Sequence, residues 1–92
     1  MRFEFSWDDR KAASNFIKHR ISFPDASTIF YDPLAITYPD GENSNGETRY
    51  LTFGLSSRGQ VLLVSHIETN EGIRIISARK VNRAERKIYE QG

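Results

Sequence analysis

Apolar and polar residues alternate along this chain at two periods, and the changes of period mark out its elements. Phe3, Phe5 and Trp7 alternate with Glu4 and Ser6, as in a short half-buried strand. From Asp8 the period becomes helical. Asp8 suits an N-cap, and Ala12, Ala13, Phe16 and Ile17 form an apolar stripe, with Arg10, Lys11, Asn15 and Lys18 facing elsewhere. Ser22 is a second N-cap, with Pro24 and Asp25 in the first turn and Ala26, Ile29 and Phe30 on the buried side, and Asp32-Pro33 stops that helix. Leu34 to Tyr38 reads as a strand, and residues 39–48 as a loop rich in Gly, Asn and Asp. Strands follow at about 49–56, 60–68 and 73–79, joined by turns at Ser57-Arg58-Gly59 and Thr69-Asn70-Glu71-Gly72. A last helix starts near Asn82, whose spacing to Glu85 is that of a capping box. The order β-α-α-β-β-β-β-α predicts an α+β domain: a mainly antiparallel sheet of about four to five strands, two N-terminal helices and one C-terminal helix.

The turns also predict register. A simple hairpin at Thr69–Gly72 sets Glu68 opposite Ile73, His66 opposite Ile75, Val64 opposite Ser77 and Leu62 opposite Arg79. His66, Glu68, Ser77 and Arg79 then share one face and Arg74 takes the other. Along that face His66 and Arg79 stand about 13 Å apart. A three-residue loop at Ser57–Gly59 places Tyr50, Thr52 and Gly54 beside His66, and makes Leu51, Phe53, Leu55, Val61, Leu63 and Ile67 core. A two-residue loop would exchange the faces. The first register is preferred because it separates a mixed polar face from a uniformly apolar one.

At 92 residues the chain fits a single domain, 1–92, and the 38% hydrophobic and 27% charged content is ordinary for a globular protein. There is no cysteine, so disulfides and thiolate zinc sites are excluded, and two histidines make a poor transition-metal site. No Walker loop, dinucleotide fingerprint or nucleophile elbow occurs, and no metal or cofactor is expected. The lack of a long apolar run or a signal pattern predicts no membrane contact and a cytoplasmic location. The net charge of +1 is unevenly placed, with −3 over residues 1–48 and +4 over residues 49–92. Arg74, Arg79, Lys80, Arg83, Arg86 and Lys87 crowd one stretch with Glu85 as its only anion. That block suits a polyphosphate such as RNA.

Several stretches resemble BrnT toxins: the F-E-F-S-W-D opening, K-A-A-S-N-F-I-K-H (Lys11 to His19), and F-P-D-A-S-T-I-F-Y-D-P-L-A. So do R-Y-L-T-F-G-L-S-S-R-G, the pair His66-x-Glu68, and the terminal I-R-I-I-S-A-R-K…R-x-E-R…Y block. The resemblance runs over nearly the whole chain. It implies a type II toxin–antitoxin toxin with a RelE-like fold and metal-independent RNA cleavage that halts translation. It also implies neutralisation by a BrnA-like ribbon-helix-helix antitoxin, with DNA reached only indirectly through that partner. Two positions depart from the pattern. Arg20 stands where the family commonly has a helix-stopping Gly, and Thr69 where many members have Arg.

Metal-free RNA cleavage needs a base for the 2′-hydroxyl, a cation for the pentavalent phosphate and an acid for the leaving 5′-oxygen. Arg79 and Arg74 are the electrostatic candidates, because a planar guanidinium matches phosphate oxygens. His66 and Glu68 are the acid–base candidates, and Lys80, Arg83 and Lys87 the candidates for tracking the RNA backbone. Plainer roles compete. His66 fits a half-buried strand histidine with one satisfied hydrogen bond, and Glu68 a cross-strand partner of Arg49 or Arg74. Glu85 fits a cap, Arg86 and Glu90 a helical pair, and Trp7 a core residue. The rival functions are a non-catalytic nucleic-acid-binding module and a protein-interaction domain.

Overall fold

The computed structural model describes residues 3–42 and 46–92. Its elements are β1 (Phe5–Ser6), α1 (Asp9–His19), α2 (Phe23–Ser27) with a 3-10 turn (Thr28–Tyr31), β2 (Ile36–Glu42), β3 (Thr48–Leu55), β4 (Val61–Thr69), β5 (Gly72–Lys80) and α3 (Arg83–Gln91). The five strands lie in the order β1-β5-β4-β3-β2. Only β1 runs parallel to its neighbour, so the sheet is mixed and mostly antiparallel. Strand β2 extends to Glu42, into part of the stretch expected as loop, and residues 43–45 of that stretch lie outside the described ones.

The helices start where the sequence signals them. Asp8 accepts from the N–H groups of Arg10 and Lys11, Ser22 accepts from Asp25, and Asn82 and Glu85 form a reciprocal capping box. Helix α1 ends on Arg20 in the left-handed region (φ 61°), with its N–H donating to Phe16. The helix thus stops as it would with glycine, but on a residue whose Cβ resents that conformation. The guanidinium lies 5.6 Å from the Phe16 ring centroid, a modest compensation. Arg20→Gly should therefore raise stability by roughly 0.5–1 kcal/mol, read as a higher urea midpoint at unchanged m-value.

Helices α1 and α2 and the 3-10 turn cover one face of the sheet. Ile21, Phe23, Ala26 and Ile29 pack on Leu62, Val64, Ile75 and Ala78, flanked by Phe5, Trp7, Phe30 and Ile73. Each fully buried large side chain contributes about 1.5–3 kcal/mol. Trp7 lies edge-on to Phe23 at 5.9 Å between centroids, as a core residue. Gly54 lets the 3-10 turn sit directly on β3, since a Cβ there would lie 2.8 Å from that of Ile29.

Of the apolar stripe expected on α1, Ala12 packs against the core, but Ala13, Phe16 and Ile17 are exposed, whereas Asn15 is buried. Its side-chain amide donates to the carbonyls of Ile21 (3.0 Å) and Ala78 (2.9 Å), and its carbonyl accepts from Ala78 N–H (3.1 Å). Strand β1 covers β5 only at Ile73 and Arg74. At Ala78, Asn15 supplies hydrogen bonds that a longer β1 would have made with that edge.

Candidate functional site

The pairing of β4 with β5 decides which side chains can meet. From the turn inward, Glu68 faces Ile73 and His66 faces Ile75, as the hairpin predicts. The register then slips between Ser65 and His66: Ser65 faces Ser77, Val64 faces Ala78, Leu63 faces Arg79 and Leu62 faces Lys80. Ile76 is the surplus residue of a β-bulge, and a one-residue surplus turns everything beyond it to the other face. Arg79 therefore shares a face with Arg74, not with His66 and Glu68, which corrects the shared face expected from an unbroken hairpin.

The β3–β4 register is the expected one, with Tyr50 opposite His66, Thr52 opposite Val64 and Gly54 opposite Leu62. Arg49 then stands opposite Ile67, which stands opposite Arg74. The two arginines flank one apolar residue across three strands, about 10 Å apart at the backbone. Below them on the same face lie Leu51, Ser65 and Ser77, then Phe53, Leu63 and Arg79. Ser77 is exposed and Ser65 half-buried, so small hydroxyl side chains floor the space between the arginines. Among the described residues, no carboxylate lies within ion-pair distance of Arg49 or Arg74, and the Nε of Arg49 is buried without a hydrogen-bond partner. Sequence reasoning missed Arg49 as a site residue. The preferred turn register already put it on Arg74's face, but that face was taken for closed core.

Arg79 is oriented by α3. Its two terminal nitrogens donate to the two oxygens of Glu85, each at 2.8 Å, and one also donates to the Lys80 carbonyl at 3.2 Å. Glu85 also accepts from the Asn82 N–H, so the carboxylate combines the capping role expected of it with a grip on Arg79. The bonds from Arg79 hold the Glu85 carboxyl below its ordinary range against the opposing effect of burial, and the same bonds raise Arg79. Glu85 is thus a weak proton acceptor near neutral pH. The Arg79 side chain remains 41% exposed, open to a ligand. Helix α3 has no fully buried side chain, though Glu85 and Tyr89 are half-buried. Its far end is held by the Tyr89 hydroxyl, which donates to Asp32 at 2.6 Å and is thereby pushed up to about 12. Burial would raise Asp32, but hydrogen bonds from Tyr89, Leu55 and Leu34 outweigh it and hold the carboxyl low. Arg83 and Lys87 are exposed on this helix, Arg86 pairs with Glu90 at 3.3 Å, and Lys80 is exposed at the end of β5.

His66 sits on the opposite face, 2% exposed. The Phe30 ring meets it edge-on at 4.9 Å and the Tyr50 ring stacks at 5.7 Å. Its Nε2 shares a 2.7 Å hydrogen bond with the Thr52 hydroxyl, which bonds in turn to Thr37 at 2.7 Å, and Nδ1 has no partner. The cleft beside it, about 340 Å³, is lined by Phe3, Phe30, Asp32, Ala35, Thr37, Thr52, Glu68 and Ile73. Its charged lining is acidic, which repels phosphate. Glu68 is exposed and lies across the sheet from Arg49 and Arg74, so the ion pair expected with them does not form.

Burial pushes the His66 imidazole down to about 4. Unfolding lets it take up a proton below about pH 6.5, which the folded chain refuses until about pH 4. Stability from this group is complete above its unfolded pKa and declines as the pH falls toward the folded one. Unfolding free energy should drop by about 2 kcal/mol between about pH 7 and about pH 5. In His66→Gln, whose amide can keep the bond to Thr52, urea midpoints should change far less over that range; equal slopes would sink the assignment.

A family match places this small α+β domain in the class of ribonuclease toxins. The family model described as "Ribonuclease toxin, BrnT, of type II toxin-antitoxin system" matches residues 7–85. The chain is a member of the BrnT family, and a type II system supplies a protein antitoxin as its partner. Among solved structures, the fold is similar to the crystal structure of the Brucella abortus ribonuclease toxin BrnT. The TM-score is 0.68 at 19% identity, over 89% of this chain and 100% of that one. No curated protein matches. Among the described residues, no helix is long and apolar enough to cross a membrane.

Proposed function

We propose that this chain cleaves RNA on the sheet face bearing Arg49, Arg74 and Arg79, without a metal ion, and that a ribbon-helix-helix antitoxin neutralises it by covering that face. The observation that carries the reading is the sorting of charge. Three arginines share one face, while the cleft on the other side is lined by Asp32 and Glu68. Arg49 and Arg74 grip a phosphate from two sides of Ile67. Arg79, preset by Glu85, stabilises the charge that gathers on phosphorus as the 2′-oxygen attacks and the bond to the 5′-oxygen breaks, while solvent water takes the 2′-hydroxyl proton and protonates the leaving 5′-oxygen. A carboxylate-aligned guanidinium loses little freedom at that moment, which is where its advantage over a free side chain lies. His66 is a structural residue in this reading, since no phosphate held by the arginines can touch the far side of the central strand. Arg83 and Lys87 extend the cationic surface for longer RNA, whereas Lys80, paired with Leu62, belongs to the other face.

Purified protein freed of its antitoxin should cut RNA in excess EDTA and should largely cease to do so as Arg79→Ala. Cleavage that requires added metal, or that survives this substitution at full rate, overturns the proposal.

A further inference from the structure

A second cationic hollow lies where α1 meets the bulged edge of β5. About 210 Å³ in size, it is lined by Lys11, Ser14, Asn15, Lys18, His19, Ile76 and Ser77. The helix face is set by Asn15, whose three hydrogen bonds fix α1 against Ala78. Lys11 and Lys18 are two helical turns apart and so overhang the hollow from both ends. Among the described residues, neither lysine nor His19 has a carboxylate within ion-pair distance. The opposite wall is the bulge. Ile76 turns outward there, and Ser77 belongs both to this hollow and to the row that floors the arginine face.

We propose that this hollow is a phosphate subsite for RNA, one step along the backbone from the phosphate held by the arginines. The strand crosses the edge of β5 at Ser77. The two ammonium groups neutralise the phosphate, and the hydroxyls of Ser14 and Ser77 and the His19 ring offer it hydrogen bonds. Continuity through Ser77 favours a nucleic-acid backbone over an acidic protein segment, because a single strand that leaves the arginine face on this side meets the lysines next. The subsite rests on the arginine face being the RNA face, but it concerns binding, so it can be tested apart from catalysis.

The experiment uses a single-stranded 2′-O-methyl oligonucleotide, which lacks the attacking hydroxyl and is held whether or not the protein is a nuclease. Its affinity for the wild type and for Lys11→Gln/Lys18→Gln is measured by fluorescence anisotropy over a range of salt. Losing this one phosphate contact should weaken binding about tenfold at about 0.15 M salt and make the salt slope shallower by about 0.7. Arg58→Gln, an exposed change in the β3–β4 turn, should alter neither. Unchanged affinity and slope in the double variant overturn the subsite. So does a loss of antitoxin affinity with RNA binding intact, which would assign the hollow to an acidic protein partner. Absence of cleavage by the wild type, with the double variant still binding more weakly, would strike the nuclease reading alone.

Discussion

Arg79→Ala should lower the rate of RNA cleavage by roughly 100- to 1000-fold, the usual loss when one preorganised donor to a developing oxyanion is removed. The fold should hardly notice. The guanidinium is 41% exposed, its pair with Glu85 lies near the surface, and such pairs contribute at most about 1 kcal/mol. Glu85 keeps the Asn82 N–H as a partner, so no charge is stranded. Arg79→Lys is the informative companion. It retains the positive charge but not the fork that reaches both Glu85 oxygens, so it should recover only part of the lost rate. Initial rates under saturating RNA, beside urea midpoints for all three proteins, give the answer. A large activity loss that merely tracks a large stability loss would make Arg79 a brace for α3 and not a participant.

Asn15→Ala should cost about 3 kcal/mol of folding stability, a large share of the margin of a domain this size. The side chain is 7% exposed and satisfies three backbone groups at once: the carbonyls of Ile21 and Ala78 and the N–H of Ala78. Alanine removes all three partners and leaves those backbone groups unpaired at a largely buried position. Asn15→Asp should be costly as well, since a carboxylate cannot donate to either carbonyl. Chemical denaturation at neutral pH reads both. A cost below about 1 kcal/mol for the alanine variant would mean that the β5 edge finds other partners.

Much of this architecture could be read from the chain because its signals are local. Asp8, Ser22 and the Asn82–Glu85 pair cap helices through groups a few residues away, and the Ser57–Gly59 turn sets the β3–β4 register by length alone. What was not legible depends on groups distant in sequence. Asn15 reads as a polar surface residue until β1 proves too short to cover β5. Phe16 and Ile17 read as core for the same reason. The bulge was legible but unread: the doubled Ile75-Ile76 breaks the alternation of apolar and polar residues, and the bulge moves Arg79 from His66's face to Arg74's. His66 was an acid–base candidate by residue type, and only the rings of Phe30 and Tyr50 show how dry its surroundings are. Arg49 was hidden because a sheet face rich in Leu, Phe and Val looks closed, although its upper end is not.

Helix α3 is fastened at both ends by polar groups and tucks no side chain into the interior. Its packing is chiefly polar apart from the half-buried Tyr89, so its release should cost less than global unfolding and leave the sheet whole. Each opening takes the carboxylate away from Arg79 and sets that guanidinium swinging. The last nine or so residues thus act as a tensioner for an arginine on the sheet, and whatever grips this helix from outside gains control of that arginine without entering the groove.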